Sequence, residues 1–338
     1  MAYITLNKKH FFNNLDIIAQ QSKGKDKIAL VLKDNAYGHG LLQIAEMAKE
    51  YGIKKCVVRS FDEAESIVEL FDYVLVLADQ PKSFHPKIRY TINDLHAISL
   101  FEKGTKVELK VNTGMNRNGI EMSELHEAFE AIQKRELVLE AVFTHHSCAD
   151  EDLCIFQEQN RNFLKVKKEA TDLQMKFAFK PLRFHSCNSA ALFQTENFNE
   201  DMARVGIAAY GYLELPQQGQ VEQLQSVLSL YAKRISLRKV SKGVSIGYGA
   251  SYISQDEILV GNYDFGYGDG FLRSCSHRYT TPEGIKLLGR ISMDNSSFLS
   301  DKEELLIFDN AIEVAKSAQT ISYEVLTALK PHLKRVVY

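Results

Sequence analysis

The sequence is poor in cysteine, and its five cysteines are scattered along 338 residues. They are odd in number, include no Cys-x-x-Cys pair, and stand at Cys56, Cys148, Cys154, Cys187 and Cys275. This pattern argues against a disulfide framework and against a zinc motif. We therefore expect reduced thiols and no metal site.

A large excess of one charge and long apolar runs are absent as well. The net charge is −2 and the sequence pI is about 6.6, which leaves no broad basic field for nucleic acid or an anionic membrane. No apolar run is long enough to span a membrane, and residues 1–5 do not begin a secretion signal. We therefore expect a cytoplasmic protein.

What the sequence does contain is a long alternation of short apolar runs and helical patterns, up to about residue 220. This alternation predicts parallel strands joined by crossover helices. The predicted strands cover residues 27–33, 55–58, 73–77, 107–111, 137–143 and 183–185. The predicted helices cover residues 41–51, 62–71, 94–102, 121–134, 152–175 and 189–193.

Domain organisation follows from the length and from a change of pattern near residue 220. The length suits a barrel of roughly 250 residues with a smaller partner domain. Candidate functional residues follow many predicted strands, which favours a closed (β/α)8 barrel, an α/β fold, over an open sheet. Beyond the polar linker 217–220, predicted strands dominate, at residues 226–240, 258–260, 285–288 and 304–308. We predict a barrel domain over residues 1–220 and a mostly β domain over residues 221–338.

One stretch, residues 31–40, combines a strand end with a distinctive motif. Lys33 follows the apolar run and precedes Ala-Tyr-Gly-His-Gly at residues 36–40. An amine held there, partly desolvated, can form a Schiff base with a carbonyl cofactor, although an isolated lysine would more often be a solvated surface residue. Strand, lysine and motif strongly resemble the cofactor-lysine segment of the alanine racemases, enzymes that use pyridoxal phosphate (PLP) on a (β/α)8 barrel.

Two later segments resemble the cofactor site of the same family. His-Ser-Cys-Asn-Ser at residues 185–189 ends a strand and starts a helix, which alone would indicate an ordinary N-cap. Arg204 begins the family pattern Arg-x-Gly-Ile, and the resemblance places it at the pyridine nitrogen. Because a guanidinium only donates, that nitrogen would stay unprotonated and the cofactor would be a weaker electron sink. The resemblance implies that PLP is bound by Lys33, Tyr37, His145, Asn188, Ser189, Arg204, Gly206, Ile207 and Tyr323.

Racemisation needs a proton-transfer group on each face of the substrate α-carbon. Lys33 is one, and the resemblance gives Tyr248, in Tyr-Gly-Ala-Ser-Tyr, as the other. A free phenol is a poor base near neutral pH, so Tyr248 needs a neighbour that stabilises its anion. His145 matches the family histidine that links this tyrosine to Arg204, with His185 extending the chain. A lone histidine at a strand end would more often be structural.

Substrate recognition is implied by the segment from Lys110 to Arg117, which resembles the family's carboxylate-binding loop. Arg117 would bind the substrate carboxylate, and Lys110 matches a lysine that is carbamylated in many members. Taken alone, both would be solvated residues of a strand end and a loop. Tyr267 and Met293 resemble residues that crowd the substrate side chain. Departures from the family pattern are Asn112 for Asp, His146 for an aromatic residue, Gly268 for Ala and Ser292 for Cys.

The resemblance also implies an obligate head-to-tail homodimer, since family members receive the counterparts of Tyr248, Tyr267 and Met293 from the other subunit. The expected function is PLP-dependent interconversion of L- and D-alanine, which supplies D-alanine for peptidoglycan. A racemase of another or a broader range of amino acids, such as serine or lysine, remains an alternative. A non-catalytic PLP carrier is a further one, although such carriers lack the β domain and its tyrosine.

Overall fold

The chain folds into a parallel barrel and a second part made mostly of strands. The structure is a computed structural model that describes residues 1–215 and 220–338, so Gln217, Gln218 and Gly219 of the predicted linker lie outside the described residues. The strands are β1 Tyr3–Leu6, β2 Ile28–Val31, β3 Lys55–Val58, β4 Tyr73–Val76, β5 Ile88–Ile92, β6 Lys106–Lys110, β7 Val138–Phe143, β8 Arg183–His185, β9 Ala203–Val205, β10 Leu228–Val240, β11 Ser245–Ile246, β12 Tyr252–Ile253, β13 Ile258–Tyr263, β14 Leu287–Leu288, β15 Ser296–Phe298, β16 Glu304–Phe308 and β17 Lys334–Val337.

Helices connect most of the barrel strands. They are α1 Lys8–Ser22, α2 Lys33–Tyr37, α3 Leu41–Tyr51, α4 Phe61–Ile67, α5 Leu125–Lys134, α6 Leu153–Lys176, α7 Ser189–Phe193, α8 Ala311–Ala318 and α9 Ser322–Ala328. The helix α3 has the predicted bounds and buries Ile44, Met47 and its two alanines against the barrel. The N-cap of α6 is Asp152, whose carboxylate accepts hydrogen bonds from the first free N–H groups of that helix.

The barrel consists of β2 to β9, which form a sheet of eight strands in the order β8-β7-β6-β5-β4-β3-β2-β9. All of its paired strands run parallel. A backbone hydrogen bond of 2.9 Å from Arg204 N to Cys187 O joins the two ends of the sheet. Because helices cover its outer face and side chains fill its interior, β2 is buried at every position. The predicted (β/α)8 barrel is confirmed.

Two barrel strands, β5 and β9, were not predicted as strands. β5 carries Arg89 and Thr91 inside an otherwise apolar run, and all of its residues are buried. The predicted helix at residues 94–102 is wrong, since this segment has only a 3-10 helix at His96–Leu100, in which Ile98 alone is buried. A segment with so little apolar surface to bury gains little from forming a full helix.

The second part is built around β10, which pairs with β1, β13 and β16. The strand path is β14-β15-β13-β10-β1-β17, so the chain's first strand lies between β10 and β17. β1 runs antiparallel to β10 and parallel to β17. The division at residue 220 stays a prediction, but the pairing shows that Tyr3–Leu6 belongs to the sheet of the second part.

Within the described residues, no helix is both long and apolar enough to cross a bilayer. The same part of the chain contains no group of three or more His, Cys, Asp and Glu side chains arranged to hold a metal ion. The five cysteines are unpaired, and Cys56, Cys187 and Cys275 are buried.

Candidate active site

A cavity of about 560 Å³ opens at the carboxyl ends of the barrel strands. Lys33 follows β2, Lys110 ends β6, His145 follows β7 and Arg204 lies in β9, and all of these residues line the cavity. This end of a (β/α)8 barrel is where such enzymes place their active sites. Other lining residues are Tyr37, Arg117, Asn188, Ser189, Gly206, Ile207 and Tyr323. The structure therefore brings together every residue expected to bind the cofactor, together with Lys110 and Arg117.

Lys33 begins a turn with an unusual backbone. Every residue from Asp34 to Tyr37 has a positive φ, between 51° and 57°, in the left-handed helical region. This conformation costs about 1–2 kcal/mol for each L-residue. The Glu63 carboxylate supports the turn by accepting a hydrogen bond from the Asp34 backbone N–H at 2.7 Å. Backbone strain of this kind persists where the surrounding contacts hold it, and it is concentrated at functional sites.

The Arg204 guanidinium is buried in the cavity wall and held on several sides. Its Nη1 lies 2.6 Å from His185 Nδ1, and its Nη2 donates to Thr144 O at 2.6 Å and Ser186 O at 3.0 Å. The Phe143 ring supports it from one face, with the guanidinium carbon 5.0 Å from the ring centroid. Among the described residues, no protein group accepts from the remaining donor, Nε–H.

His145 is the second histidine beside this arginine. Burial, followed by the charges of Arg204, Lys110 and Arg117, holds the pKa of His145 well below its usual range, so the ring is neutral at pH 7. Its Nδ1 lies 3.4 Å from Arg204 Nη2. Because a guanidinium has no acceptor, its position beside Nδ1 favours the tautomer that carries the ring proton on Nε2.

The opposite end of the cavity collects backbone N–H groups. Ser189 Oγ accepts from Gly206 N at 3.2 Å and from Ala208 N at 3.3 Å. Asn188 is the N-cap of α7, with its side chain bonded to Ala191 N. At Gly206 a Cβ atom would lie only 2.6 Å from Tyr37 Oη, so this position requires glycine. Because these N–H groups donate to the Ser189 oxygen, the hydroxyl can turn its own hydrogen towards an anion in the cavity.

Arg117 and Lys110 form a cationic side of the cavity. Burial, and then the charges of Arg117, Arg204 and Lys33, lowers the pKa of Lys110 to about 8. Asn112 lies between them in sequence and organises the loop: its Nδ2 donates to Glu121 Oε1 and its Oδ1 accepts from Asn116 N. An Asp at this position would place a second carboxylate against Glu121, so the amide suits this loop.

The remaining predicted residues lie outside the cavity, on the second part of the chain. Tyr248, Tyr267 and Met293 are 68%, 40% and 56% exposed. Backbone hydrogen bonds from Tyr267 N to Ser292 O and from Gly268 N to Met293 O join two of the segments. Arg290 lies against the third, since a Cβ atom at Gly249 would be 2.9 Å from its Nη1. We call this surface, formed by residues 247–250, 266–268 and 290–293, the exposed edge.

Several cavity residues were not predicted from the sequence. Those with polar side chains are Asp34, Arg59, Thr91, Asn93, Asn118, Asp150 and Thr327. Thr91 and Asn93 were missed together with β5, although Ile-Arg-Tyr-Thr-Ile between Pro86 and an Asn-Asp pair carries the signal of a strand. Asp34 lies next to Lys33, and its Oδ1 is paired with Arg59 Nη1 at 3.3 Å.

Comparison with known proteins gives a consistent result over the whole chain. Residues 6–214 match the family model of the alanine racemase N-terminal domain, and residues 227–337 match that of the C-terminal domain. The chain is 42% identical over 335 residues to an alanine racemase from Nitratiruptor, and 41% identical over 337 residues to one from Campylobacter concisus, with 99% of each chain covered. A crystal structure of alanine racemase from Bacillus anthracis with bound L-Ala-P matches with a TM-score of 0.86 at 26% identity, covering 100% of this chain and 95% of that one. The chain belongs to the alanine racemase family.

Proposed function

We propose that this protein interconverts L- and D-alanine with PLP held at Lys33. The observation that carries the proposal is the single cavity lined by Lys33, Arg204 and Arg117 at the carboxyl ends of the barrel strands. Full-length relatives named alanine racemase, at 37% to 42% identity, support the same activity. The D-alanine would supply peptidoglycan synthesis in the cytoplasm.

The cavity fits PLP at each point that the cofactor requires. Arg204 Nε–H, the donor without a protein acceptor among the described residues, suits a ring nitrogen that accepts. The Ser189 hydroxyl, which accepts from Gly206 N and can donate its own hydrogen, suits a phosphate. When bound, PLP supplies a carbonyl that an amine can join and an electron sink that acidifies the substrate α-proton.

Lys33 and Tyr248 are the proposed catalytic residues, one for each face of the α-carbon. Lys33 accepts or returns the α-proton on one face, and Tyr248 does so on the other. Tyr248 needs help because the phenol pKa is about 10 in water. We assign the stabilisation of the Tyr248 phenolate to His145, whose neutral ring can donate a hydrogen bond from Nε2. Arg117 binds the substrate carboxylate and so fixes which bond of the α-carbon faces each base.

Lys110 is proposed to carry a carbamate. With a pKa of about 8, a useful fraction of this amine is neutral near physiological pH and can attack carbon dioxide. The new N–C bond gives a carbamic acid, which releases its proton to solvent and leaves one negative charge. That charge would replace a cation beside Arg117 and hold the guanidinium in place.

We propose a head-to-tail homodimer in which Tyr248, Tyr267 and Met293 of one protomer complete the cavity of its partner. Exposed large side chains of this kind commonly mark an interface, and the exposed edge carries all of these residues on one surface. A cavity completed in this way would hold a proton-transfer group on each side of the substrate.

Mixing two inactive variants tests the shared site. Lys33→Ala and Tyr248→Phe chains, differently tagged and paired at random, form heterodimers that contain one intact site. About a quarter of the wild-type racemisation rate should therefore return, since half of the dimers are mixed. Purified heterodimers without activity would overturn the shared site.

A panel of L-amino acids tests the substrate. We expect alanine to racemise fastest, followed by serine and lysine, as the side chain outgrows the cavity. One methylene changes specificity by only about 10- to 200-fold, so all three should be measured as kcat/KM. Faster turnover of serine or lysine would defeat the assignment to alanine, and PLP binding without any turnover would indicate a carrier.

A further inference from the structure

The barrel interior holds a buried carboxylate, Glu108, that the proposed mechanism does not use. Glu108 lies in the middle of β6 and has no exposed surface. Because alternate residues of a strand share a face, Glu108 and the cavity residue Lys110 both point into the barrel. A carboxylate in such a place is costly unless hydrogen bonds and opposite charges compensate it.

Both oxygens of this carboxylate are engaged. Glu108 Oε2 accepts from His185 Nε2 at 3.0 Å. Glu108 Oε1 accepts from Tyr73 Oη at 2.7 Å and from Arg183 Nη2 at 2.8 Å. Although burial raises the pKa of Glu108, the bond from His185 and the charge of Arg183 hold it below its usual value, so the carboxylate is ionised.

His185 connects Glu108 to Arg204. Arg204 Nη1 lies 2.6 Å from His185 Nδ1, on the opposite side of the ring from Glu108. Burial holds the pKa of His185 below its usual value, so the ring is neutral. A guanidinium only donates and a carboxylate only accepts, so the neutral ring can satisfy both in one tautomer, with the proton on Nε2.

The ring of His185 cannot easily turn away from this arrangement. It has no exposed surface and stacks on the Phe143 ring, with centroids 4.7 Å apart and planes inclined by 13°. Phe143 also supports the Arg204 guanidinium. A change at Glu108 must therefore reach Arg204 as a change of tautomer or of guanidinium position.

We propose that Glu108 is a positioning residue, which fixes the His185 tautomer and thereby holds Arg204 in the orientation that meets the ring nitrogen of PLP. The proposal rests on the proposed function for the identity of the ligand. The chain from Glu108 to His185 to Arg204 itself is independent of any ligand, because every contact in it lies within the protein.

Ion pairing with Arg183 does not account for the placement of Glu108. Arg183 Nη2 already has a second carboxylate, since it lies 2.9 Å from Glu140 Oε2. Glu140 in turn pairs with Arg89 Nε at 2.8 Å. Glu108 differs from Glu140 in its hydrogen bonds from Tyr73 and His185, and of these only the bond from His185 leads to Arg204. Glu140 therefore serves as the control for the loss of a carboxylate beside Arg183.

Glu108→Gln keeps the shape of the side chain but replaces one of its two acceptor oxygens with an NH2 group, which donates. If the amide oxygen faces His185, the amide NH2 faces the Arg183 guanidinium, which cannot accept, while Tyr73 Oη can turn to accept from it. If the amide turns over, its NH2 faces His185, and the ring must move its proton to Nδ1, against Arg204. Since a donor opposes a donor in both arrangements, the preference for one tautomer should be lost.

The test compares wild type, Glu108→Gln, Glu108→Asp and Glu140→Gln. Nitrogen-15 NMR of the PLP-free protein reads the His185 tautomer, with its signals assigned by their loss in His185→Asn. PLP binding to the same proteins is titrated by absorbance. We expect a single Nε2–H tautomer in wild type and Glu140→Gln, mixed or reversed tautomers and an about 10-fold weaker PLP Kd in Glu108→Gln, and partial recovery in Glu108→Asp.

The outcomes separate this proposal from the proposed function. An Nδ1–H tautomer in wild type overturns the positioning role without the need for any variant, even if Glu108→Gln fails to fold. Equal effects of Glu108→Gln and Glu140→Gln on the PLP Kd also overturn it. If wild type shows the expected tautomer but fails to bind PLP, the proposed function is overturned, and with it the ligand named here.

Discussion

The barrel cavity and the exposed edge hold their proposed functional residues in contrasting ways. Arg204 in the cavity wall is 5% exposed and is held by His185, Thr144 and Ser186. Tyr248 on the exposed edge is 68% exposed and stands on a short 3-10 turn between two glycines. Sites that bind and orient a ligand are built on rigid elements with supported side chains. The residues around the cavity are thus held within one chain, whereas Tyr248 stands outside the cavity of its own chain and would complete that of a partner in the proposed dimer.

This contrast predicts different losses of activity for substitutions in the barrel cavity and on the exposed edge. The largest loss is expected at Lys33. Lys33→Ala removes both the proposed attachment of PLP and one proton-transfer group, so racemisation should fall by at least about 10³-fold. The visible absorbance of the cofactor should also be lost from the purified protein. The control variant Lys49→Ala, on the exposed face of α3, should keep both the racemisation rate and the cofactor absorbance. Borohydride trapping of PLP on a lysine in Lys33→Ala would place the anchor elsewhere.

Tyr248→Phe should separate binding from turnover. The barrel half is untouched, so the PLP absorbance of the protein should match wild type. Racemisation should fall by roughly 10²- to 10⁴-fold for at least one enantiomer, because one face of the α-carbon loses its base. The control is Tyr338→Phe, which removes the hydroxyl of another exposed tyrosine and should leave the racemisation rate unchanged. Unchanged rates in both directions would remove Tyr248 from the site.

Arg117→Lys should affect substrate binding more than cofactor binding. A lysine keeps the charge but loses the two-pronged geometry that matches a carboxylate. We expect KM for alanine to rise by roughly 10- to 100-fold, with a smaller change in kcat and unchanged PLP absorbance. Arg161→Lys on α6 is the control. A change in kcat alone would argue that Arg117 does not bind the substrate.

Lys110 should make the cavity sensitive to carbon dioxide and pH. Only the neutral amine forms a carbamate, so the modified fraction should rise as pH increases through about 8 and fall below it. Carbon-13 NMR under labelled carbon dioxide should show a carbamate signal that Lys110→Ala lacks. Removing carbon dioxide should raise KM for alanine several-fold. A signal-free spectrum at high pH would rule out the modification.

The smallest effect is expected at Asn112, which organises the loop without lining the cavity. Asn112→Asp brings a carboxylate against Glu121, which is 2.9 Å from the present amide nitrogen. We expect the free energy of unfolding to fall by about 1 kcal/mol, as measured by urea denaturation, and to recover when Glu121→Gln is added. Failure of the double variant to recover would show that another contact is responsible.

Sequence reasoning reached the barrel because most of its strands are short apolar runs separated by helical patterns. It missed β5, whose Arg89 and Thr91 face a polar interior rather than an apolar one. It did not identify Glu108 as functional, since a charged residue within a strand is usually solvated. Only the folded barrel brings His185 and Arg204 to this carboxylate, and their separation in sequence leaves no local signal.

The sequence motifs identified the residues that line the cavity, but they did not identify the contacts and strand pairings around them. Lys33, Arg204 and Ser189 were recognised from short segments that resemble a family, and the structure places them around one cavity. Arg59 belongs to no such segment, and Asp34 lies in the segment 31–40 without being part of its recognised pattern. The two residues meet where α2 turns left-handed. The position of β1 between β10 and β17 also escaped prediction, since strand pairing over such a distance leaves no pattern in either strand.

That position of β1 has a consequence for how the protein is made. Tyr3–Leu6 is synthesised before the barrel, yet one of its two neighbours, Lys334–Val337, is synthesised after it. Translation must therefore pass the whole barrel before β1 can pair with its neighbours, and this segment stays unpaired while the barrel is made. Docking of β1 joins a strand that precedes the barrel in the sequence to a sheet whose other strands follow it.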